Sequence, residues 1–246
     1  MYAQETIKPY GDKEGKRSQV ERMFNNIAHS YDKLNHTLSL GVDRIWRRSS
    51  IKHLKRIAQP QQILDIATGT GDFAILAAKN LCPKHIVGVD ISDGMMEIGM
   101  QKVIKAGLKD IIEFRHEDCS KMSFADNQFD AVISSFGLRN FANLDDCLKE
   151  MLRVTTQGGH IVAIDLCAPS SFPMKQLFWI YKKVVMPVVG RCISHDNSAY
   201  TYLPLTMDAI PQGETMADIF RKAGWADVEY KRLAFGMCMR YTAIKK

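Results

Sequence analysis

The nonapeptide LDIATGTGD, residues 64–72, decides the fold of this chain. It predicts a buried strand that ends at Ile66, a glycine loop, and a helix that begins near Asp72. Gly69 and Gly71 have no Cβ atom, so the backbone of the loop can approach a ligand closely. In a doubly wound sheet such a ligand lies at the carboxyl end of the first strand. The stretch therefore predicts an α/β fold with a cofactor bound over this loop.

Apolar strands and helices alternate along the chain after Gln59-Pro60. The pattern predicts strands near 62–67, 85–91, 111–118, 129–136 and 160–167, and helices near 72–81, 94–107, 143–155 and 214–225. Gly158 and Gly159 are expected to end the third of these helices. Residues 227–244 predict two more strands, joined by a turn at Ala234 to Gly236. This alternation indicates a doubly wound, mostly parallel sheet that is covered on both faces.

The N-terminal residues follow a different pattern. Residues 1 to about 17 are polar and predict a mobile tail. A helix is predicted from Ser18, and Glu21 completes the pattern of a capping box. A second helix is predicted over Asp43 to Ala58, with Ile45, Trp46, Ile51, Leu54 and Ile57 facing inward. Its opposite face is predicted to be solvated, with a membrane surface or an acidic ligand as the alternative contact. That face consists of Arg44, Arg47, Arg48, Lys52, Lys55 and Arg56.

The whole chain, residues 1–246, is predicted to form one domain, since its length suits one large α/β unit. Its expected parts are an N-terminal tail with helices (1–60), a cofactor-binding core (61–167), an insert after the fifth strand (168–212), and a C-terminal helix with the strands that complete the sheet (213–246).

Composition excludes several classes of protein. Hydrophobic residues make up 46% of the chain, which argues against disorder. The net charge of +6 is mild and implies no nucleic-acid partner, although it permits attraction to an anionic surface. The six cysteines contain no CxxC pair, so no metal site is predicted and the thiols are expected to be reduced. Without an apolar signal segment or a membrane-spanning run, a cytoplasmic protein is expected.

Two classes of cofactor compete for the glycine loop. Residues 69–74 fit the GxGxxA spacing of a dinucleotide site, and Asp90 lies where an acid that binds ribose hydroxyls belongs. S-adenosylmethionine has the same ribose, so Asp90 does not discriminate between the two. Asp65 on the strand and Asp72 at the helix start favour S-adenosylmethionine, because a carboxylate at the helix start would repel a diphosphate but not a cationic sulfonium.

Two later features also favour S-adenosylmethionine. Asp118, at the end of the third strand, can accept a hydrogen bond from the adenine amino group, with a simple Asx turn as the alternative. The C-terminal pair of strands suggests a reversed last strand, the expected closure of a seven-stranded, class I S-adenosylmethionine-dependent methyltransferase sheet. The alternatives are a nicotinamide-dependent oxidoreductase, a methyltransferase acting on RNA or on another small molecule, and a non-catalytic protein that binds the cofactor.

The sequence from Val20 onward resembles the quinone-ring C-methyltransferases of menaquinone and ubiquinone biosynthesis. The resemblance is carried by YDKLNHTLSLGVDRIW (31–46), ATGTGD (67–72), SFGLRN (135–140), RVTTQGGHIVAIDL (153–166) and SAYTYLP (198–204). It implies methyl transfer from S-adenosylmethionine to a ring carbon of a polyprenylated quinol, either demethylmenaquinol or also a benzoquinol. Asp43 stands where the family pattern has a histidine, which puts a role for that histidine in doubt.

Carried over position by position, the resemblance implies that the methyl donor contacts Thr70, Asp90, Asp118 with Cys119, and Ser135. These join Asp65, Gly69 and Gly71, which the loop pattern had selected.

The Arg139-Asn140 pair is the predicted catalytic centre. A quinol ring carbon becomes nucleophilic when the neighbouring hydroxyl loses its proton, so the enzyme must stabilise an aryl oxyanion. Arg139 supplies a fixed positive charge for it, and Asn140 positions the second oxygen or a water. The resemblance adds Tyr31 as a further polar partner. The structural alternative for Arg139 is a salt bridge to Asp145 or Asp146. His36 and His195 are lesser candidates for a base.

The insert, residues 168–212, is predicted to be an irregular lid that accepts the isoprenoid tail of the substrate. Its basic residues are expected to face lipid headgroups, which predicts a peripheral contact at the inner face of the membrane. A homodimer contact or plain core is the alternative. The apolar residues concerned are Phe172, Phe178, Trp179, Ile180, Val184, Val185, Met186, Val188 and Val189, and the basic ones are Lys175, Lys182 and Lys183.

Overall fold

The structure, a computed structural model, describes residues 1–185 and 197–246. Its strands are β1 (Gln62–Ile66), β2 (His85–Asp90), β3 (Ile112–His116), β4 (Phe129–Ser135), β5 (Thr155–Leu166), β6 (Ala226–Leu233) and β7 (Cys238–Ile244). They form one sheet in the order β3-β2-β1-β4-β5-β7-β6. Strand β7 is antiparallel to both of its neighbours, and the pairs among β1 to β5 are parallel. The predicted mostly parallel sheet with a reversed last strand is confirmed.

Helices cover both faces of this sheet. They are α1 (Ala3–Thr6), α2 (Lys16–Leu38), α3 (Val42–Ile57), α4 (Asp72–Leu81), α5 (Asp93–Lys105), α6 (Leu144–Val154), α7 (Met174–Ile180), α8 (Asn197–Ala209) and α9 (Glu214–Lys222). One buried cluster joins α3, α4 and α5 to the sheet, and a second joins α6 and α9 to its other side. Burial on both faces explains why the central strands β1, β2 and β4 are mostly apolar.

The carboxyl ends of β1 and β4 meet at the centre of the sheet. Strand β1 pairs with β2 on one side and with β4 on the other, so the strand order reverses between β1 and β4. Ligands of open α/β sheets bind at such a switch point. The residues that follow these two strands, Ala67 and Phe136, have left-handed backbone angles, with φ of 53° and 64°. Non-glycine residues adopt this conformation at a cost and are frequent at functional sites.

The N-terminal segment is ordered, and the prediction of a mobile tail is wrong. Gln4 and Glu5 are buried. Glu5 Oε1 accepts a hydrogen bond of 2.8 Å from the backbone N–H of Leu144, and so satisfies a free amide at the start of α6. Helix α2 begins at Lys16, so Ser18 lies inside it and is not its N-cap. The N-terminal segment therefore packs against the residues that follow β4.

Helix α3 corrects a second prediction. Trp46, Ile51 and Leu54 are buried as expected, but Ile45 and Ile57 are exposed. Arg47, predicted to face solvent, is only 6% exposed. Its Nη1 donates a hydrogen bond of 2.6 Å to Asp43, and its guanidinium lies 4.8 Å from the ring centroid of Phe136. A local carboxylate partner and an aromatic ring thus make burial of this arginine possible.

The junction between α6 and β5 also differs from the prediction. Helix α6 ends at Val154, and Gly158 and Gly159 lie within β5 instead of ending the helix. A Cβ at residue 159 would lie 2.9 Å from the backbone oxygen of Asp130, so only glycine fits there.

The insert is largely helical where it is described, with α7, a π-helical turn at Tyr181–Val185, and α8. The predicted lid residues Met186, Val188 and Val189, and the candidate base His195, lie outside the described residues. Within residues 1–185 and 197–246, each helix is too short or too polar to cross a membrane.

Candidate active site

A cavity of about 120 Å³ lies over the carboxyl ends of β1, β2 and β4, and we call it the cofactor pocket. Its lining residues come from several sequence motifs that are far apart in the chain. Of the predicted site residues, those that line it are Tyr31, Gly69, Asp90, Asp118, Cys119, Ser135 and Asn140. Arg139, Asp65, Thr70 and Gly71 do not line this pocket.

The glycine loop has the geometry that its sequence predicts. Gly69 and Gly71 have positive φ angles of 55° and 75°, which L-residues with a side chain rarely adopt. Gly71 is the N-cap of α4. A Cβ at residue 71 would lie 2.7 Å from the Phe114 ring, so steric room as well as backbone angle requires glycine. The loop therefore leaves its backbone open on the pocket side at Gly69.

Asp90 is fixed at the end of β2 by backbone amides. Its Oδ2 accepts from Gly69 N–H at 2.8 Å, and its Oδ1 accepts from Ser92 N–H at 2.9 Å. Burial raises the pKa of this carboxyl. Each carboxylate oxygen can accept more than one hydrogen bond, so the pair can still accept two hydroxyl groups of a ligand. The contact from Asp90 to a ribose stays a prediction.

Asp118 and Cys119 form the wall opposite the glycine loop. Asp118 Oδ1 accepts from Ser120 N–H at 2.8 Å, which is the predicted Asx turn. Its Oδ2 lies 3.0 Å from Nε of Arg17, a pocket residue that the sequence placed in the tail. The Sγ atom of Cys119 lies 2.7 Å from that of Cys147, which also lines the pocket. The contact from Asp118 to adenine stays a prediction.

Asp65 and Thr70 support the loop from below. Asp65 is fully buried, its Oδ2 accepts from Thr68 Oγ1 at 2.7 Å, and burial raises its pKa to about 7. Thr70 Oγ1 donates to Asp32 Oδ1 at 2.6 Å and accepts from Lys102 Nζ at 3.0 Å. Direct contacts of these two side chains with a cofactor stay predictions.

Asp72 is paired with two cations that it shares with other carboxylates. Its Oδ1 forms a salt bridge with Lys102, and its Oδ2 lies 3.8 Å from Nη1 of Arg47. Lys102 also pairs with Asp32. Arg47 also pairs with Asp43, so three carboxylates face two cations. The expected repulsion of a diphosphate at the start of α4 therefore stays a prediction.

Arg139 is paired with a carboxylate that the sequence analysis did not consider. It lies on a 3-10 turn, Leu138–Asn140, and is 5% exposed. Its Nη1 donates to Asp165 Oδ1 at 2.6 Å, and its backbone N–H donates to Asp165 Oδ2 at 2.8 Å. The expected partners are engaged elsewhere, since Asp145 accepts from Tyr2 and Asp146 from Asn143. The alternative of a clamp to α6 is therefore wrong.

Burial and pairing act in opposite directions on Arg139. Burial is the largest single influence and lowers the pKa of the guanidinium, but the charge and hydrogen bond of Asp165, together with the two neighbouring tyrosines, outweigh it, so the pKa is raised overall. The group is therefore a permanent donor that is held in one orientation.

A second cavity, of about 30 Å³, lies between α2, α8 and the 3-10 turn. We call it the tyrosine pocket, after its lining residues Tyr31, Arg139, Asn140 and Tyr202. Arg139 Nε, Asn140 Oδ1 and the Tyr202 hydroxyl are buried and have no hydrogen-bond partner among the described residues. Tyr31 and Asn140 line both this pocket and the cofactor pocket. The two cavities are therefore adjacent.

Tyr202 was missed by the sequence reasoning. The segment SAYTYLP that contains it had been noted only as part of the family resemblance. Its signal was the tyrosine itself, because a tyrosine hydroxyl usually finds a hydrogen-bond partner when it is buried.

A chain of apolar cavities leads from this centre to the surface. A chamber of about 50 Å³, the apolar chamber, shares Phe136 with the cofactor pocket and Arg139 with the tyrosine pocket. Its other lining residues include Trp46 and Asp43. The apolar chamber shares Phe178 with a surface groove of about 500 Å³ along α7, which we call the α7 groove. The arrangement can hold a polar ring with an extended apolar substituent.

Known proteins share both the sequence pattern and the fold. The pattern of the ubiE/COQ5 methyltransferase family matches residues 12–245. The demethylmenaquinone methyltransferase of Bacteroides fragilis is 55% identical over 244 residues, which cover 99% of each chain.

Among solved structures, the cyclase SpnF aligns with a TM-score of 0.67 at 16% identity, over 93% of this chain and 96% of its own. A SAM-dependent methyltransferase from Aquifex aeolicus aligns with a TM-score of 0.58 at 18% identity, over 80% of this chain and 89% of its own. At these identities the likeness concerns the fold alone, and that fold also carries other chemistry.

Proposed function

The chain belongs to the ubiE/COQ5 methyltransferase family, and from this premise we propose that it transfers a methyl group from S-adenosylmethionine to a ring carbon of demethylmenaquinol, giving menaquinol. The observation that carries the proposal is the tyrosine pocket, where Arg139 Nε, Asn140 Oδ1 and the Tyr202 hydroxyl are buried and have no partner among the residues that the structure describes. Such atoms cost roughly 1–3 kcal/mol each when left unpaired, so a polar ligand that pairs with them is favoured. A quinol ring carries two hydroxyl groups that can do so.

Ring activation is the chemical task of this pocket. Bound S-adenosylmethionine supplies an electrophilic methyl group. A quinol carbon attacks it only when the neighbouring oxygen carries negative charge, because that charge is delocalised to the carbon ortho to the oxygen. Hydrogen-bond donors fixed around the oxygen lower the free energy of this oxyanion before the reaction begins. Arg139 and Tyr202 supply such donors.

We propose that Arg139 stabilises the oxyanion through a hydrogen-bond donor in a fixed position more than through its net charge. Asp165 offsets its charge and holds its Nη1, while Nε–H has no hydrogen-bond partner in the part of the chain that the structure describes. A single buried donor of this kind is worth several kcal/mol to an oxyanion, because few water molecules compete for it. The Asp165 pairing also supports a constant orientation, since both the backbone and the side chain of Arg139 are bound.

Asn140 and the two tyrosines complete the polar surroundings. Burial raises the pKa of Tyr31 and of Tyr202, so both hydroxyl groups stay protonated near neutral pH and can donate. Asn140 Nδ2 donates to Phe136 O at 3.2 Å, which leaves Oδ1 as an acceptor for the second hydroxyl of the ring. An oxidised quinone lacks that hydroxyl, so this acceptor favours the reduced substrate.

The apolar chamber and the α7 groove are proposed to hold the isoprenoid tail. Phe178, 4% exposed, lies between them, and the groove continues along Trp179 and Ile180. Burial of each methylene contributes about 0.8 kcal/mol, so a long tail adds substantially to substrate affinity.

We further propose that the enzyme is cytoplasmic and touches the inner face of the membrane through α7 and α3. Phe172, Trp179 and Ile180 are 81%, 56% and 50% exposed. Lys183 Nζ lies 5.2 Å from the Trp179 ring centroid, so charge and apolar surface are adjacent. Exposed arginine and lysine residues of α3 add positive charge, namely Arg44, Arg48, Lys52, Lys55 and Arg56. A homodimer contact is the competing use of the same apolar surface.

One experiment tests the central proposal. The protein is incubated with methyl-labelled S-adenosylmethionine, a reductant and short-tailed demethylmenaquinol, and the product is identified by mass spectrometry. We expect one labelled methyl group on the ring. A parallel reaction with a benzoquinol of ubiquinone biosynthesis measures the breadth of the activity. A protein that binds S-adenosylmethionine yet labels neither ring would contradict the proposal.

A further inference from the structure

A buried lysine lies behind the tyrosine pocket. Lys16 is the first residue of α2 and is only 5% exposed. Its Nζ donates a hydrogen bond of 3.2 Å to the backbone oxygen of Arg139 and another to that of Gln4. The same atom lies 5.9 Å from the ring centroid of Tyr202. Lys16 therefore contacts two residues that line the tyrosine pocket, although it does not line the pocket itself.

Folding alone does not favour a lysine at this position. Moving an ammonium group from water into the protein interior is unfavourable, and the helix dipole opposes a positive charge at the start of a helix. The acids that act on Lys16 are engaged by other groups, since Glu5 Oε2 accepts from Tyr2 N–H at 2.6 Å and Asp165 pairs with Arg139. These costs indicate that the charge of Lys16 serves the site beside it.

Lys16 completes the balance of charge behind the pocket. The charged groups that act on it are Glu5 on α1, Arg139 on the 3-10 turn and Asp165 on β5. On α8, Tyr202 faces it with a neutral ring, because burial raises the pKa of the Tyr202 hydroxyl. On its own helix, Arg17 is bound to Asp118. With Lys16 protonated, the two cations match the two carboxylates. With Lys16 neutral, one negative charge is in excess, which would oppose an oxyanion in the pocket.

We propose that Lys16 is a positioning residue for the quinol oxyanion. Its ammonium holds the turn that carries Arg139 in place beside Tyr202, and its positive charge offsets the carboxylates behind that turn. Both backbone groups of Arg139 are thereby fixed, since its N–H donates to Asp165 and its carbonyl oxygen accepts from Lys16. Lys16 does not touch the ring. This inference rests on the proposed quinol methylation, and it gives the N-terminal segment a task in that reaction.

The ammonium of Lys16 changes its charge in an accessible pH range. Burial is the largest influence on its pKa and lowers it to about 8, while Arg139 acts in the same direction and Glu5 and Asp165 oppose both. Lys16 is therefore charged below this pH and loses its charge as the pH rises through it. A neutral amine still has two N–H donors, so both hydrogen bonds to carbonyl groups can persist. A purely structural role would thus be insensitive to pH in this range, whereas a role of the charge would not.

The test is the pH dependence of kcat/KM for the quinol, measured without oxygen at saturating S-adenosylmethionine. Lys16→Met has a similar length but no charge, and Lys16→Arg has a charge that does not titrate. Well below pH 8, Lys16→Met is expected to be about 10–10²-fold slower than the wild type, and Lys16→Arg close to it. As the pH rises through about 8, the wild type should lose its advantage over Lys16→Met and fall behind Lys16→Arg. Ionisation of the substrates cancels in these ratios.

The controls separate the charge of Lys16 from its packing. Both variants should bind S-adenosylmethionine with the wild-type Kd. Lys8→Met removes an exposed lysine of the same N-terminal segment, which donates to Glu14 O at 2.8 Å, and should keep the wild-type profile.

A ratio of wild-type to Lys16→Met activity that stays constant across pH 8 would overturn the inference, because it would leave Lys16 a structural role alone. If Lys16→Arg does not fold, the ratio to Lys16→Met still decides. A wild-type protein that binds S-adenosylmethionine but methylates no quinol at any pH would instead refute the proposed function, and this inference with it.

Discussion

The cofactor pocket and the tyrosine pocket share Tyr31 and Asn140 but are built in different ways. In the cofactor pocket the key carboxylate is already satisfied, since Asp90 accepts two backbone hydrogen bonds. In the tyrosine pocket, Arg139 Nε, Asn140 Oδ1 and the Tyr202 hydroxyl have no hydrogen-bond partner among residues 1–185 and 197–246. The first is set by loops at the ends of adjacent strands, whereas the second unites α2, α8 and the turn after β4. The key carboxylate of the first pocket is thus held by the fold, whereas these polar atoms of the second are available to a ligand.

The largest effect is expected from removing Arg139. Arg139→Ala alone would leave the buried Asp165 without its counter-charge, which costs about 3–5 kcal/mol of stability. The double variant Arg139→Ala/Asp165→Asn avoids this penalty. We expect it to lower kcat by about 10²–10³, because the oxyanion loses its guanidinium donor. The Kd of S-adenosylmethionine, measured by calorimetry, should stay near the wild-type value.

Arg139→Lys is the matched control for that variant. It keeps a positive charge opposite Asp165 but loses the planar fork, so it should fold normally and recover only part of the turnover. If the double variant folds, binds the cofactor and turns over at the wild-type rate, Arg139 has no part in the reaction, and the two pockets do not differ as described.

Removing the Asp90 carboxylate should weaken cofactor binding and leave turnover almost unchanged, which is the opposite of the effect expected at Arg139. Asp90→Ala is expected to weaken S-adenosylmethionine binding by ~1.5–3 kcal/mol, since charge-assisted contacts to the ribose hydroxyls are lost. At saturating cofactor its kcat should change little. Calorimetry on the variant measures the affinity directly, and an unchanged Kd would mean that the ribose lies elsewhere.

Replacing Tyr202 tests whether its buried hydroxyl group binds the substrate. Tyr202→Phe should lower kcat/KM for the quinol by about tenfold, because one hydrogen bond to the substrate is lost. Its melting temperature should be unchanged or slightly higher, since the hydroxyl has no partner within the described ranges 1–185 and 197–246.

Tyr241 is the matched comparison, because its hydroxyl accepts a hydrogen bond of 3.0 Å from Gly213 N–H. Tyr241→Phe should lose stability and keep its activity. If Tyr202→Phe melts early with normal kcat/KM, Tyr202 is structural and the tyrosine pocket does not bind the substrate.

The smallest effect is expected at the membrane surface. Binding to anionic liposomes should fall as salt is added, because exposed charges are screened over about 8–10 Å near physiological ionic strength. Trp179→Ala should remove the part of the binding that survives high salt. Co-sedimentation measures both. If the wild type does not bind liposomes, the exposed surface of α7 is left to a homodimer, which light scattering would detect.

The sequence predicted best those elements that depend on residues close together in the chain. Helix α4 spans Asp72–Leu81, the same residues as predicted, because a glycine loop and an apolar period define both of its ends. The central strands β1, β2 and β4 were found for a similar reason, since each is a short, mostly apolar run between turn residues. The insert was predicted as irregular although α7 and α8 are helical, because Pro204 lies inside α8 and aromatic residues obscure the helical period.

The amino-acid sequence by itself determined the sheet, the glycine loop, and the acids at the ends of β2 and β3, because these depend on residues that are neighbours in the chain. The tertiary structure decided which charged groups pair. Glu5 meets Leu144 across 139 positions, Arg47 meets Ser135 across 88, and Arg139 meets Asp165 across 26. No periodicity encodes such partners, since the free energy of burying a charge depends on what the folded chain brings beside it. Arg47 was therefore placed in solvent and the N-terminal segment in a mobile tail, although Arg47 and Glu5 are buried by contacts that include partners far away in the sequence.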